Sequence, residues 1–210
     1  MDERVIEFLG KIGTGVIDYR RQERELEPRF IGIQRGIISV LQEAGMADEK
    51  GDYEISHKQT SIELAHRGHS GDSIFLNLDH ESAGTRRLLL LLSRIYRALD
   101  RGGLLLIDEL DASLHTQACE ALIALFSRPE INTRGAQVIA TTHDTNILQS
   151  SLLRRDQVWF AEKNLEGATH IYPLTDIRTR EGDNIERGYL QGRFGAIPYA
   201  GSISDLFVTS

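Results

Sequence analysis

A single cysteine, Cys119, occurs in the chain, so no disulfide can close within it and a reducing compartment is the simplest expectation. Long apolar runs are also missing. The longest is the leucine stretch 88–92, far short of the ~20 residues that cross a bilayer. The opening MDERVIEFLG is acidic and lacks the layout of a secretion signal, so a cytosolic protein with no membrane partner is expected. Positive charge is in deficit: the net charge of -7 argues against a surface that coats nucleic acid, although a local basic face remains open. There is no internal repeat and no low-complexity segment. Most consequential, the string G-x-x-x-x-G-K-[ST] is absent. Its nearest approach, Gly10-Lys11, is followed by Ile12 and has Val5 where the first glycine belongs, and no lysine follows Gly13 or Gly15. These residues therefore contain no recognisable loop for wrapping a polyphosphate.

What is present reads as one sizeable core with an appendage. With 210 residues and 40% hydrophobic composition the chain is long enough for one domain and a little more. Residues 1–58 are expected to form a small mixed N-terminal appendage: a helix over 3–9, a short strand at 15–19, the charged stretch RRQERELEPR and a helix over 31–44. Residues 59–66 and 73–79 alternate as paired strands around the turn RGHSGD. From residue 85 the pattern becomes helix (85–99), strand (104–107), helix (116–127), strand (138–141). Buried strands alternating with helices imply a partly parallel sheet with crossover helices, an α/β fold spanning 59–210. Residues 157–163 and 168–172, joined through NLEG, read as a closing hairpin.

Chemistry gathers where the predicted strands end, the place where open parallel sheets bind ligands. GLLLIDELDASLH carries four aliphatic residues into Asp108 and Glu109. A carboxylate at the first position suits Mg²⁺ beside a nucleotide, and one at the second suits a base for an attacking water. A buried strand that stops at two solvated acids is the plainer alternative. The strand in GAQVIATTHD ends in Thr142, His143 and Asp144, where a histidine can donate to a terminal phosphate. A surface or capping histidine is the plainer reading there. Upstream, Ser82, Ala83 and Gly84 open the leucine-rich helix, whose first amides and close-approach glycine suit an anion. Simple N-capping by Ser82 is the alternative.

Together the three elements resemble the ATP-binding-cassette type of ATPase domain. The wording ESAGTRR, DELDASLH, TTHDTNIL and RRDQVWFAEK is similar to the bacterial AAA-type branch related to abortive-infection and overcoming-lysogenization-defect proteins, over roughly residues 79–198. The resemblance implies a P-loop NTPase-type fold seen as its C-terminal lobe, with ATP and Mg²⁺ as ligands. It implies that Asp108 contacts the metal, Glu109 is the catalytic base and His143 senses the γ-phosphate. Ser82, Gly84, Thr85 and Arg86 would meet nucleotide held by a second subunit in a head-to-tail homodimer, and Asp111 of Leu110-Asp111 would couple the two sites. Ala83 and Thr85 depart from the usual signature, which has glycine and glutamine there.

The missing phosphate loop leaves three explanations: a fragment whose Walker A lobe is supplied from elsewhere, a relic, or an ATPase with an unrecognised loop. The first is preferred, and it makes the isolated chain inactive. A non-catalytic partner-binding or dimerisation module is the rival reading. The resemblance also implies phage defence through an associated nuclease, yet no nuclease motif is present. His66 and His69 lack cysteine or carboxylate partners at zinc-ligand spacing, which favours a solvated turn. Arg86, Arg87, Arg94, Arg97 and Arg101 form a basic row on one helix, either a solvated face or a surface for nucleic acid or a subunit. Residues 183–198 hold glycines and aromatics without a motif.

Overall fold

The computed structural model describes residues 2–44, 58–164, 166–180 and 182–197. Residues 45–57 of the expected appendage, Leu165 of the NLEG turn and the tail from Pro198 lie outside them. The chain divides into two compact units, Met1–Leu90 and Leu91–Ser210.

In the first unit, helix α1 (Glu3–Lys11) starts where the Asp2 carboxylate accepts the Arg4 amide at 3.0 Å. Val5 and Leu9, four residues apart and hence on one face, are fully buried. The Thr14 hydroxyl donates to the Leu9 carbonyl at 2.8 Å, and Gly13 and Gly15, both in the left-handed region, turn the chain into strand β1 (Val16–Glu25). Strand β1 pairs antiparallel with β2 (Lys58–Arg67), which pairs antiparallel with β3 (Ser73–Asn77). The strand expected at 15–19 runs on to Glu25, through a charged stretch that has no apolar alternation. The partner strand supplies what the local pattern lacks. Arg20 bonds Glu63 at 2.6 Å and lies 4.1 Å above the Phe75 ring, while Lys58 reaches Glu23 at 3.4 Å. The boundary expected after Lys58 falls at the first residue of β2, whose partner β1 lies on its other side, so the ladder joins segments assigned to different domains.

Between β1 and β2 runs helix α2 (Pro28–Glu43), with proline in its first turn and no buried residue. Phe30, Ile33, Ile37 and Val40 form a stripe of helical spacing on its exposed surface. After β3 a 3-10 turn (Leu78–His80) leads to helix α3 (Ala83–Arg101). The division between the units falls inside this helix.

In the second unit, Leu91, Leu92, Ile95, Tyr96 and Leu99 of α3 are buried at intervals of three and four. Gly102 then turns the chain at φ +66°; a Cβ there would lie 2.5 Å from the Arg134 carbonyl oxygen. Strand β4 (Leu104–Ile107), helix α4 (Thr116–Ser127) and strand β5 (Gln137–Ala140) follow as a β-α-β unit, with β4 and β5 parallel and Ile107 opposite Ala140. His115 caps α4, its Nδ1 accepting the Gln117 amide at 3.3 Å. Asn132 closes the link to β5 by donating to the Phe126 and Ala136 carbonyls and accepting the Ala136 amide at 2.7 Å.

One face of the parallel pair stands open: Leu104, Leu106 and Ile139 are 57%, 68% and 61% exposed. Strand β6 (Trp159–Lys163) and strand β7 (Thr169–Pro173) form an antiparallel hairpin. Gln157, expected to open the first of these strands, instead closes a 3-10 turn (Arg155–Gln157). Helix α5 (Ile185–Leu190) packs Tyr189 on Phe160, with ring centroids 5.5 Å apart, beside the buried cluster of Phe160, Leu174 and Phe194. The fold among the described residues is thus mixed α/β with one parallel pair. Among the described residues the expected single sheet is instead three small ones, of three, two and two strands.

Candidate functional site

Strands β4 and β5 carry their polar residues out at the same end because they are parallel and adjacent. The ladder continues one step past the strands. The Thr141 amide donates to the Ile107 carbonyl at 3.0 Å and the Leu110 amide to the Thr141 carbonyl at 2.8 Å. This brings Asp108 and Glu109 beside Thr141. Its hydroxyl donates to Asp108 Oδ1 at 2.5 Å and accepts the Glu109 amide at 2.9 Å. Glu109 sits at φ +50°, a left-handed conformation costly for a side chain of its type. Ser113, at φ +62°, makes a second such turn, and the Ala112 amide closes back on the Glu109 carbonyl at 3.0 Å. Asp108, Glu109 and His143 are all exposed.

Asp111 ties this turn to the end of β5. Its Oδ1 accepts the Thr142 hydroxyl at 2.8 Å and the His143 amide at 3.1 Å. Partial burial pushes the Asp111 carboxyl up, but the Thr142 hydroxyl and the His143 amide together outweigh it and hold the group below its ordinary range. Beneath the turn, buried Cys119 points its thiol at the Leu110 carbonyl, 3.9 Å away. Desolvation, with the carboxylates of Asp144 and Asp111, pushes that thiol up to about 11.

The other candidates belong to the first unit. Ser82 caps α3: its Oγ accepts the Thr85 amide at 3.0 Å and lies 2.9 Å from Thr85 Oγ1. Thr85 is buried and its hydroxyl is engaged by Ser82. Ser82 and Arg86 are exposed and Gly84 is half-buried. The preceding residue, Glu81, is buried and pairs with His66 Nε2 at 2.7 Å. His66 thus lies in β2 with a carboxylate partner, while His69 is exposed in the turn after it. Of the basic row on α3, Arg86, Arg94, Arg97 and Arg101 are exposed.

Among the described residues, no group of three or more His, Cys, Asp or Glu side chains is arranged to hold a metal by itself. Mg²⁺ bound with a nucleotide takes one or two carboxylates and draws its remaining ligands from phosphate and water. Asp108, an exposed carboxylate at a strand end, fits such a donor set. Thr141 and Thr142 escaped the sequence reading as functional residues. Their signal was modest: two hydroxyls at the end of a strand that neighbours an acidic strand end. No helix among the described residues is long and apolar enough to cross a membrane.

Among curated proteins no sequence matches the chain. A family model described as "AAA domain, putative AbiEii toxin, Type IV TA system" matches residues 14–149. The match begins upstream of the segment whose wording carries the resemblance, taking in β1, α2 and the antiparallel sheet, and it ends before the β6–β7 hairpin. It covers more than half of the chain and points to a nucleotide-binding, ATPase-type function. The chain belongs to this AAA-domain family.

Proposed function

We propose that the chain supplies the Walker B and switch-histidine half of an ATP hydrolase, completed by a phosphate-binding loop from outside these 210 residues and by a second copy. The observation that carries the reading is the convergence of Asp108, Glu109, Asp111 and His143 at the carboxyl ends of two adjacent parallel strands. In this account Glu109 takes the proton from the attacking water, and the side chain of His143 donates to the γ-phosphate. Asp108, oriented by Thr141, holds Mg²⁺, whose role when bound is to offset charge on the phosphate oxygens.

The exposed face of Leu104, Leu106 and Ile139 supports the need for a further lobe, because parallel sheets are covered on both faces in nearly all proteins. Ser82, Gly84 and Arg86, with Thr85 behind Ser82, meet the nucleotide of the second copy in a head-to-tail dimer, and Asp111 links the two sites. The resemblance to abortive-infection proteins supports phage defence, through an associated nuclease, as the work that hydrolysis drives.

The test is Glu109→Gln in the assembly reconstituted with the phosphate-loop lobe. The reading predicts hydrolysis slowed by roughly 10²–10⁴-fold with nucleotide binding retained. An unchanged rate contradicts it.

A second reading, a partner-binding or dimerisation module without catalysis, draws on the exposed apolar stripe of α2, a helix with no fully buried residue. It predicts that Phe30→Ser with Ile37→Ser abolishes an association that Glu109→Gln leaves intact.

A further inference from the structure

The residue after the switch position, Asp144, caps a 3-10 turn (Thr145–Gln149) by accepting the amide of Asn146 at 3.0 Å and its side-chain nitrogen at 2.9 Å. The turn packs against α4 and α5, and Ile147 is buried. Its two ends meet on one side chain. The Thr145 hydroxyl donates to Glu186 Oε1 at 3.3 Å, and the Gln149 side-chain nitrogen donates to Glu186 Oε2. Both oxygens of a single half-buried carboxylate therefore staple the turn, and bonds to a charged acceptor are stronger than neutral ones.

Glu186 is itself firmly placed. Asn184 caps α5 by accepting the Arg187 amide at 2.7 Å, and Gly188 fits against the Phe194 ring, where a Cβ would lie 2.5 Å from it. Tyr189 stacks on Phe160, and its hydroxyl donates to the Ala196 carbonyl at 2.9 Å. On the other side of His143, the backbone is held by Asp111 through the His143 amide and the Thr142 hydroxyl. His143 is thus gripped from both directions along the chain, by Asp111 before it and by the stapled turn after it. Residue 186 lies beyond the family match at 14–149.

We propose that Glu186 is a positioning residue for His143, so that α5 and the aromatic cluster beneath it form the brace that aims the switch histidine. Its significance for catalysis rests on the ATPase reading above; the bracing itself does not. The Glu186 carboxylate touches neither His143 nor substrate and acts through Thr145 and Gln149.

The experiment compares the chain with its Glu186→Ala and Glu186→Gln variants by NMR. Glu186→Ala is expected to speed amide exchange across residues 143–149 at least tenfold and to displace or broaden the His143 ring signal, leaving the β6–β7 amides protected. Glu186→Gln, which keeps an acceptor for Thr145 and can donate to the Gln149 side-chain oxygen once that amide turns over, is expected to restore the His143 signal. Should Glu186→Ala not fold, Thr145→Val removes one donor from the opposite side and is expected to give the same His143 signature. The proposal is overturned by exchange and a His143 signal unchanged in the folded variant, or by loosening spread equally through β6 and β7. In the reconstituted ATPase, Glu186→Ala is expected to lower kcat with KM held. If Glu109→Gln is silent there while the NMR changes are seen, the ATPase reading fails and the brace stands.

Discussion

The Thr141 hydroxyl lies 2.5 Å from Asp108 Oδ1, so the last residue of one strand end fixes the first acid of its neighbour. The same oxygen accepts the Glu109 amide at 2.9 Å, and the two acids are held by one threonine. Replacing Thr141 by valine keeps the shape and removes both bonds. The expected loss is about 1–2 kcal/mol in urea unfolding of the chain, with Thr141→Ser close to the parent. A valine variant as stable as the parent would show that these bonds do not hold the turn.

Glu109 occupies a conformation that glycine adopts freely. Strain of roughly 1–3 kcal/mol at such a position exceeds the ~0.5–1 kcal/mol that glycine's extra backbone freedom costs. Glu109→Gly is therefore expected to raise the unfolding midpoint, while Glu109→Gln leaves it unchanged. Equal midpoints for the glycine variant and the parent would place the strain elsewhere.

Asp111 gives a pH signature. Its carboxyl is held below the ordinary value, so its stabilisation is complete above the unfolded pKa of about 3.9 and is lost as pH falls through the lower folded value. Thr142→Val removes one of the two donors. It should raise the Asp111 midpoint in a carboxyl-carbon NMR titration and cost about 1 kcal/mol at pH 7, less than a buried charged bond because solvent screens this one. The difference between parent and variant should shrink as the pH drops below about 4. A midpoint unmoved by the substitution contradicts the assigned bond.

Cys119 combines burial with a thiol raised to about 11. Alkylation at pH 8 should be slow in the folded chain and at least tenfold faster once urea unfolds it. Rapid labelling of the folded chain would mean that the turn over α4 opens readily.

Much of the secondary structure was legible because local pattern and packing agree. The limits of α4 and β4 match the reading from residue spacing, and α3 shows the period its leucines imply. The β2–β3 hairpin follows from alternation around a turn where a Cβ on Gly68 would meet Asp72. Strand β1 was only half legible, since Arg20 and Glu23 become strand residues through partners more than thirty positions away. Sequence can mark Asp108, Glu109 and His143 as reactive types at strand ends. It marks Thr141 only weakly and Glu186 not at all, because their hydrogen bonds to Asp108 and to Thr145 join residues more than thirty positions apart. Thr85 illustrates the converse, a polar residue near a motif whose side chain faces inward.

The most direct test is a calorimetric titration of the chain with Mg-ATP, alone and together with a phosphate-loop lobe from a protein of the same family. The account predicts no binding by the chain alone and saturable binding by the pair, tighter than by the added lobe alone and weakened by Asp108→Ala. No gain in binding when the two are combined would contradict it, and would leave the strand-end residues as parts of a partner-binding surface.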